Sequence, residues 1–80
     1  MKSIFHRYYI ENGDVIDVFG YNEETERFVY SVETGYSCTI REAKKQYKSP
    51  DKRNERLYPY GLYINVILSN GKKHRLFLDN

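Results

Sequence analysis

The chain has 80 residues, one cysteine and a formal net charge of only +2. That length predicts a single domain, residues 1–80, with a core near the lower limit of self-sufficiency. One cysteine, Cys38, leaves no partner for an internal disulfide and too few thiols for a thiolate zinc site. The longest apolar run, near residues 66–68, is far too short for a membrane span.

The N-terminal stretch MKSIFHRYYIENG has no continuous apolar segment and no small-residue cleavage site, so we expect no signal peptide and a cytoplasmic protein. A lone thiol suits the same reducing compartment. Nine tyrosines and no tryptophan favour a small β-protein or a binding surface, because tyrosine joins a large apolar body to one polar tip. Ala43 is the only alanine, which argues against a helical bundle.

In chain order, SIFHRYYIE (3–11) predicts a first strand, closed by the hairpin dipeptide Asn12-Gly13. DVIDVFGY (14–21) predicts the second strand. RFVYSVE (27–33) predicts the third, with Phe28, Tyr30 and Val32 alternating against Arg27, Val29, Ser31 and Glu33. Thr39-Ile40-Arg41-Glu42 then reads as a helix capping box, and Ser49-Pro50 as a stop, so a helix is expected over about 40–48. Residues 49–59 read as a polar loop, YGLYINVILS (60–69) as the fourth strand and KKHRLFL (72–78) as the fifth.

The Asn-Gly turns also predict register. A two-residue turn at 70–71 would put Lys73 and Arg75 on the apolar face. A three-residue loop with Gly71 left-handed shifts the pairing by one and groups Leu62, Ile64, Val66 and Leu68 with His74, Leu76 and Leu78. The same loop in the first hairpin sets Arg7 opposite Asp17 and avoids facing Glu11 with Asp14. The expected fold is therefore α+β, mostly β, in the order β-β-β-α-β-β. It forms either a five-stranded antiparallel sheet or a small barrel. A helix between strands three and four resembles the element order of the OB-fold.

Charge is segregated along the chain. Residues 11–35 carry seven acids and one base, Arg27, whereas REAKKQYKSPDKRNER (41–56) carries seven bases and three acids. At about 100° per residue, the expected helix would gather Arg41, Lys44, Lys45 and Lys48 on one flank, beside an apolar arc of Ile40, Ala43 and Tyr47. These residues, with Arg53, Arg56 and Tyr58 from the following loop, are the candidate binding set. The competing reading is a solvated helix whose cations favour its C-terminal dipole.

Neither His6 and His74 nor Asp14 and Asp17 lie at a spacing used by metal or acid–base sites, and no nucleophile or phosphate-loop motif occurs. The expectation is a non-enzymatic protein-binding module without metal or cofactor. In size and composition the chain resembles the short accessory proteins by which phages and other mobile elements inhibit or redirect a host protein. The partner expected is then a host protein. The alternative is an OB-like domain binding single-stranded DNA or RNA through the basic helix flank and its tyrosines.

Overall fold

A computed structural model describes residues 6–48 and 61–78. They form seven antiparallel strands: β1 (His6–Tyr9), β2 (Val15–Asn22), β3 (Arg27–Glu33), β4 (Cys38–Lys44), β5 (Gln46–Lys48), β6 (Gly61–Ile67) and β7 (Lys73–Phe77). Strands β1-β2-β3-β4 make a four-stranded sheet and β5-β6-β7 a three-stranded one, each in sequence order.

Both Asn-Gly hairpins adopt the three-residue loop. Gly13 has φ 94° and Gly71 φ 84°, the left-handed region that glycine enters without cost to a side chain. Ile10 N–H donates to the Asp14 carbonyl (3.0 Å) and Leu68 N–H to the Lys72 carbonyl (2.9 Å). In each loop the asparagine side chain accepts from the N–H two residues on, Asn12 from Asp14 (2.9 Å) and Asn70 from Lys72 (3.0 Å). The registers follow: Arg7 faces Asp17, Ile64 faces Leu76 and Val66 faces His74.

The expected helix is absent. Among the described residues none is helical, and 38–48 is extended. Strand β4 pairs with β3 over its whole length, from Glu33 opposite Cys38 to Arg27 opposite Lys44. The α+β, five-stranded reading is thus corrected to all-β with seven strands, and the likeness to the OB-fold element order loses its basis.

Two competing effects explain the outcome. A nine-residue helix is marginal in water even when well capped. Against it, the bare edge of β3 needed partners for its N–H and C=O groups. The turn that delivers them is built by Thr34. Its hydroxyl accepts from the N–H groups of Tyr36 (3.1 Å) and Ser37 (3.0 Å), while its own N–H donates to the Ser37 carbonyl (2.8 Å). The chain then crosses from one sheet to the other at Lys45, whose N–H bonds the Glu26 carbonyl at 3.1 Å.

A bulge between Val18 and Gly20 interrupts the β2–β3 ladder. It changes the parity of β2, so Ile16 and Val18 before it and Tyr21 after it all reach the interior side, Tyr21 opposite Phe28.

Ile16, Val18, Phe28, Tyr30, Val32 and Ala43 from the first sheet pack against Ile64, Val66, Leu68, Leu76 and Leu78 from the second in one cluster. The Tyr30 hydroxyl crosses that cluster and accepts the Ile67 N–H at 3.0 Å. On β6 the even-numbered backbone groups face β7, as the Leu78-to-Leu62 bond shows. Ile67 N–H therefore points the other way, beyond the reach of β5, whose pairing with β6 stops at Tyr63. No helix of the described residues is long and apolar enough to cross a membrane.

Removing that one oxygen tests the cross-sheet bond. Tyr30→Phe should cost about 1–2 kcal/mol in urea unfolding, the penalty of an orphaned buried N–H. The Ile67 amide should also exchange faster with solvent than its neighbours.

Candidate functional site

Strand geometry scatters the basic flank. Successive side chains alternate between the two faces of a strand, so Arg41 lies on the inner side of β4, opposite Tyr30, and Lys44 on the outer side, opposite Arg27. Lys48 belongs to the other sheet, opposite Gly61. Only Lys45 and Tyr47 are brought together. The Lys45 ammonium lies 4.5 Å from the ring centre of Tyr21 and 5.8 Å from that of Tyr47. Its hydrogen bond to Tyr21 raises its proton affinity above the ordinary lysine value. Tyr21 was not among the sequence candidates; it reaches this corner through the bulge. Arg53, Arg56 and Tyr58 lie outside the described residues, as does the expected loop 49–59.

The carboxylates have structural partners. Asp17 is 4% exposed and takes a two-pronged contact from Arg7, Nε to Oδ1 at 2.8 Å and Nη2 to Oδ2 at 3.1 Å. Asp14 is 3% exposed and joins the two hairpin loops. It accepts from the Ser69 N–H (2.8 Å), the Ser69 hydroxyl (2.7 Å) and the Asn12 amide (3.1 Å). The Ser69 N–H is the largest cause of an Asp14 pKa below the usual aspartate value, working against burial, which would raise it.

The other candidates separate. His6 packs its ring 4.5 Å from Tyr8, and His74 lies opposite Val66. Cys38 opens a strand and is exposed, so no helix N-terminus activates its thiol. Among the described residues no group of three His, Cys, Asp or Glu side chains is placed to hold a metal ion.

Each sheet turns a second face away from the shared core, with Asp17 and Ser31 buried on the first and Tyr63 on the second. On the four-stranded sheet, register places Arg7, Asp17, Ser31 and Ile40 in one row and Tyr9, Val15, Glu33 and Cys38 in the next. Tyr9 is 77% exposed and Ile40 69%. An open depression of about 730 Å³ lies beside them at the bulge, lined by Phe19, Tyr21, Glu23, Glu24 and Val29. On the three-stranded sheet the outer face carries Gln46, Lys48, Tyr63, Asn65, Ile67, Lys73, Arg75 and Phe77.

The two sheets differ in charge. Residues 6–44 contain eight acids (Glu11, Asp14, Asp17, Glu23, Glu24, Glu26, Glu33, Glu42) and four bases (Arg7, Arg27, Arg41, Lys44). The described residues 46–48 and 61–78 contain Lys48, Lys72, Lys73 and Arg75 and no acid. Among the described residues the acids thereby fall in one layer, while the bases are divided between the two.

No protein-family model, curated protein or solved structure matches this chain. The functional reading rests on its own surfaces.

The Asp14 bridge gives a pH prediction. A carboxylate with a depressed folded-state pKa contributes stability above its unfolded value of about 3.9 and loses it as pH falls through the folded value. Asp14→Asn should cost about 2 kcal/mol at pH 7, as for hydrogen bonds to a charged group. The gap between the two proteins should close on acidification below about pH 4, followed by urea unfolding across pH.

Proposed function

We propose that this chain is a small, intracellular, non-enzymatic protein-binding module that docks through the outer face of its four-stranded sheet. The observation that carries the reading is the exposure of Tyr9 (77%) and Ile40 (69%) on the two edge strands of the face that holds the Arg7–Asp17 ion pair. Tyrosine and arginine are residue types that protein interfaces concentrate, and the exposed isoleucine adds apolar area. The Arg7 fork is already held by Asp17, so a partner does not have to immobilise it on binding.

Glu33 and Glu42 are exposed on this face, with Arg27 and Lys44 at its end, and Glu23 and Glu24 edge the depression at the bulge. The four glutamates suit a partner with a basic patch opposite them and would speed encounter with it. A nucleic-acid-binding protein has such a surface. This fits the role of a phage or mobile-element accessory protein that inhibits or redirects a host protein. Both buried carboxylates are engaged in structural bonds, which supports binding over acid–base catalysis.

The test is a tagged pull-down from host lysate, with and without nuclease, comparing the native chain with a Tyr9→Ser/Ile40→Ser variant. Both positions are exposed, so the variant should keep the native melting temperature. We expect a protein band that survives nuclease, with the variant retaining at least tenfold less. A band held equally by both proteins, or none after nuclease, would overturn the reading.

A further inference from the structure

The outer face of the three-stranded sheet has a different chemistry. Across β6 and β7, Ile67 lies opposite Lys73, Asn65 opposite Arg75, and Tyr63 opposite Phe77. The Arg75 guanidinium sits over the Tyr63 ring, 4.6 Å from its centre. The Tyr63 and Phe77 rings lie 5.5 Å apart, tilted by 50°. The Tyr63 hydroxyl donates to Gln46 Oε1 at 3.2 Å, which fixes the ring from β5. Tyr63 is only 8% exposed, so it serves as a floor for Arg75 and not as a free ring. The surface offered to a ligand is the guanidinium above it, with Phe77 half-buried alongside.

Lys73 lies two residues from Arg75 and so projects from the same face, about 7 Å away along the strand. Lys73 and Arg75 thus adjoin the Tyr63–Phe77 aromatic pair on a face without a carboxylate among its described residues.

We propose that this face binds single-stranded nucleic acid, with bases stacking on the Arg75 guanidinium and the Phe77 ring and phosphate meeting Lys73. Base stacking on guanidinium and aromatic planes needs bases already free of a duplex, and a broad sheet face does not enter a major groove. The low net charge does not oppose this. The outer faces of two packed sheets look in opposite directions, and the sheets themselves lie about 10 Å apart. The outer face of the four-stranded sheet, with its acids, is therefore beyond a Debye length of about 8 Å at physiological salt. The site is separate from the one proposed above and stands without it.

Fluorescence anisotropy with a labelled oligothymidine or oligouridine tests the site, with a duplex, heparin and polyglutamate as competitors. We expect the single strand to bind more tightly than the duplex, with log affinity falling linearly with log salt at a slope of about −1.4 for two neutralised phosphates. Arg75→Glu and Lys73→Glu should each weaken binding at least tenfold. Arg75→Lys keeps the charge and loses the plane, and should weaken binding several-fold at unchanged slope. Lys44→Glu, on the other sheet, should change nothing. Absence of salt-dependent binding would overturn the proposal. So would a duplex, heparin or polyglutamate that binds as well as the single strand while Arg75→Lys is silent, which would mark simple charge attraction. Melting temperatures of all variants separate lost contacts from lost folding.

Discussion

Gly13 and Gly71 hold the left-handed backbone that lets each hairpin use a three-residue loop, and everything else depends on the register that results. Side chains alternate with period two, so a slip of one residue would bring Lys73 and Arg75 onto the interior face of Ile64 and Val66 and turn Leu76 and Leu78 outward. With the loops as they are, eleven buried side chains from the two sheets form a single cluster. A non-glycine residue at φ 94° or 84° would carry strain where the chain can least absorb it.

The same two loops are joined through Asp14 and Ser69, and the sheets are joined through Tyr30 and Ile67. Both links satisfy polar groups that docking takes out of water, where an unpaired group is costly. They hold one sheet over the other. Among the described residues, all the acids belong to the four-stranded layer, and the three-stranded layer carries bases without an acid, so a modest net charge conceals a polarised molecule.

Several features were legible in the residues. The Asn-Gly loops, the interior alternation of Phe28, Tyr30 and Val32, and the Arg7–Asp17 pairing follow from turn chemistry and period two alone. The candidate binding set was not legible in the same way. Arg41, Lys44, Lys45 and Lys48 share a flank only if residues 40–48 are helical, and as strands they are divided between faces and sheets. The Thr39 capping box and the Ser49-Pro50 stop are sound local signals, but they compete with the unpaired edge of β3, which no local rule weighs. Thr34 and Ser37 were the available clue, since a hydroxyl turn after a strong strand favours a return strand.

By itself the sequence determined the turn types, the hairpin registers and which side chains of β3, β6 and β7 face inward, because these depend on residues only a few positions apart. Tertiary structure alone decided that 38–48 is extended. It also decided that a bulge resets the faces of β2, that Asp14 serves Ser69, 55 positions away, and that the Tyr30 hydroxyl meets the Ile67 N–H. Those outcomes depend on how distant backbone edges and buried polar groups find partners, and that is settled only when the two sheets meet.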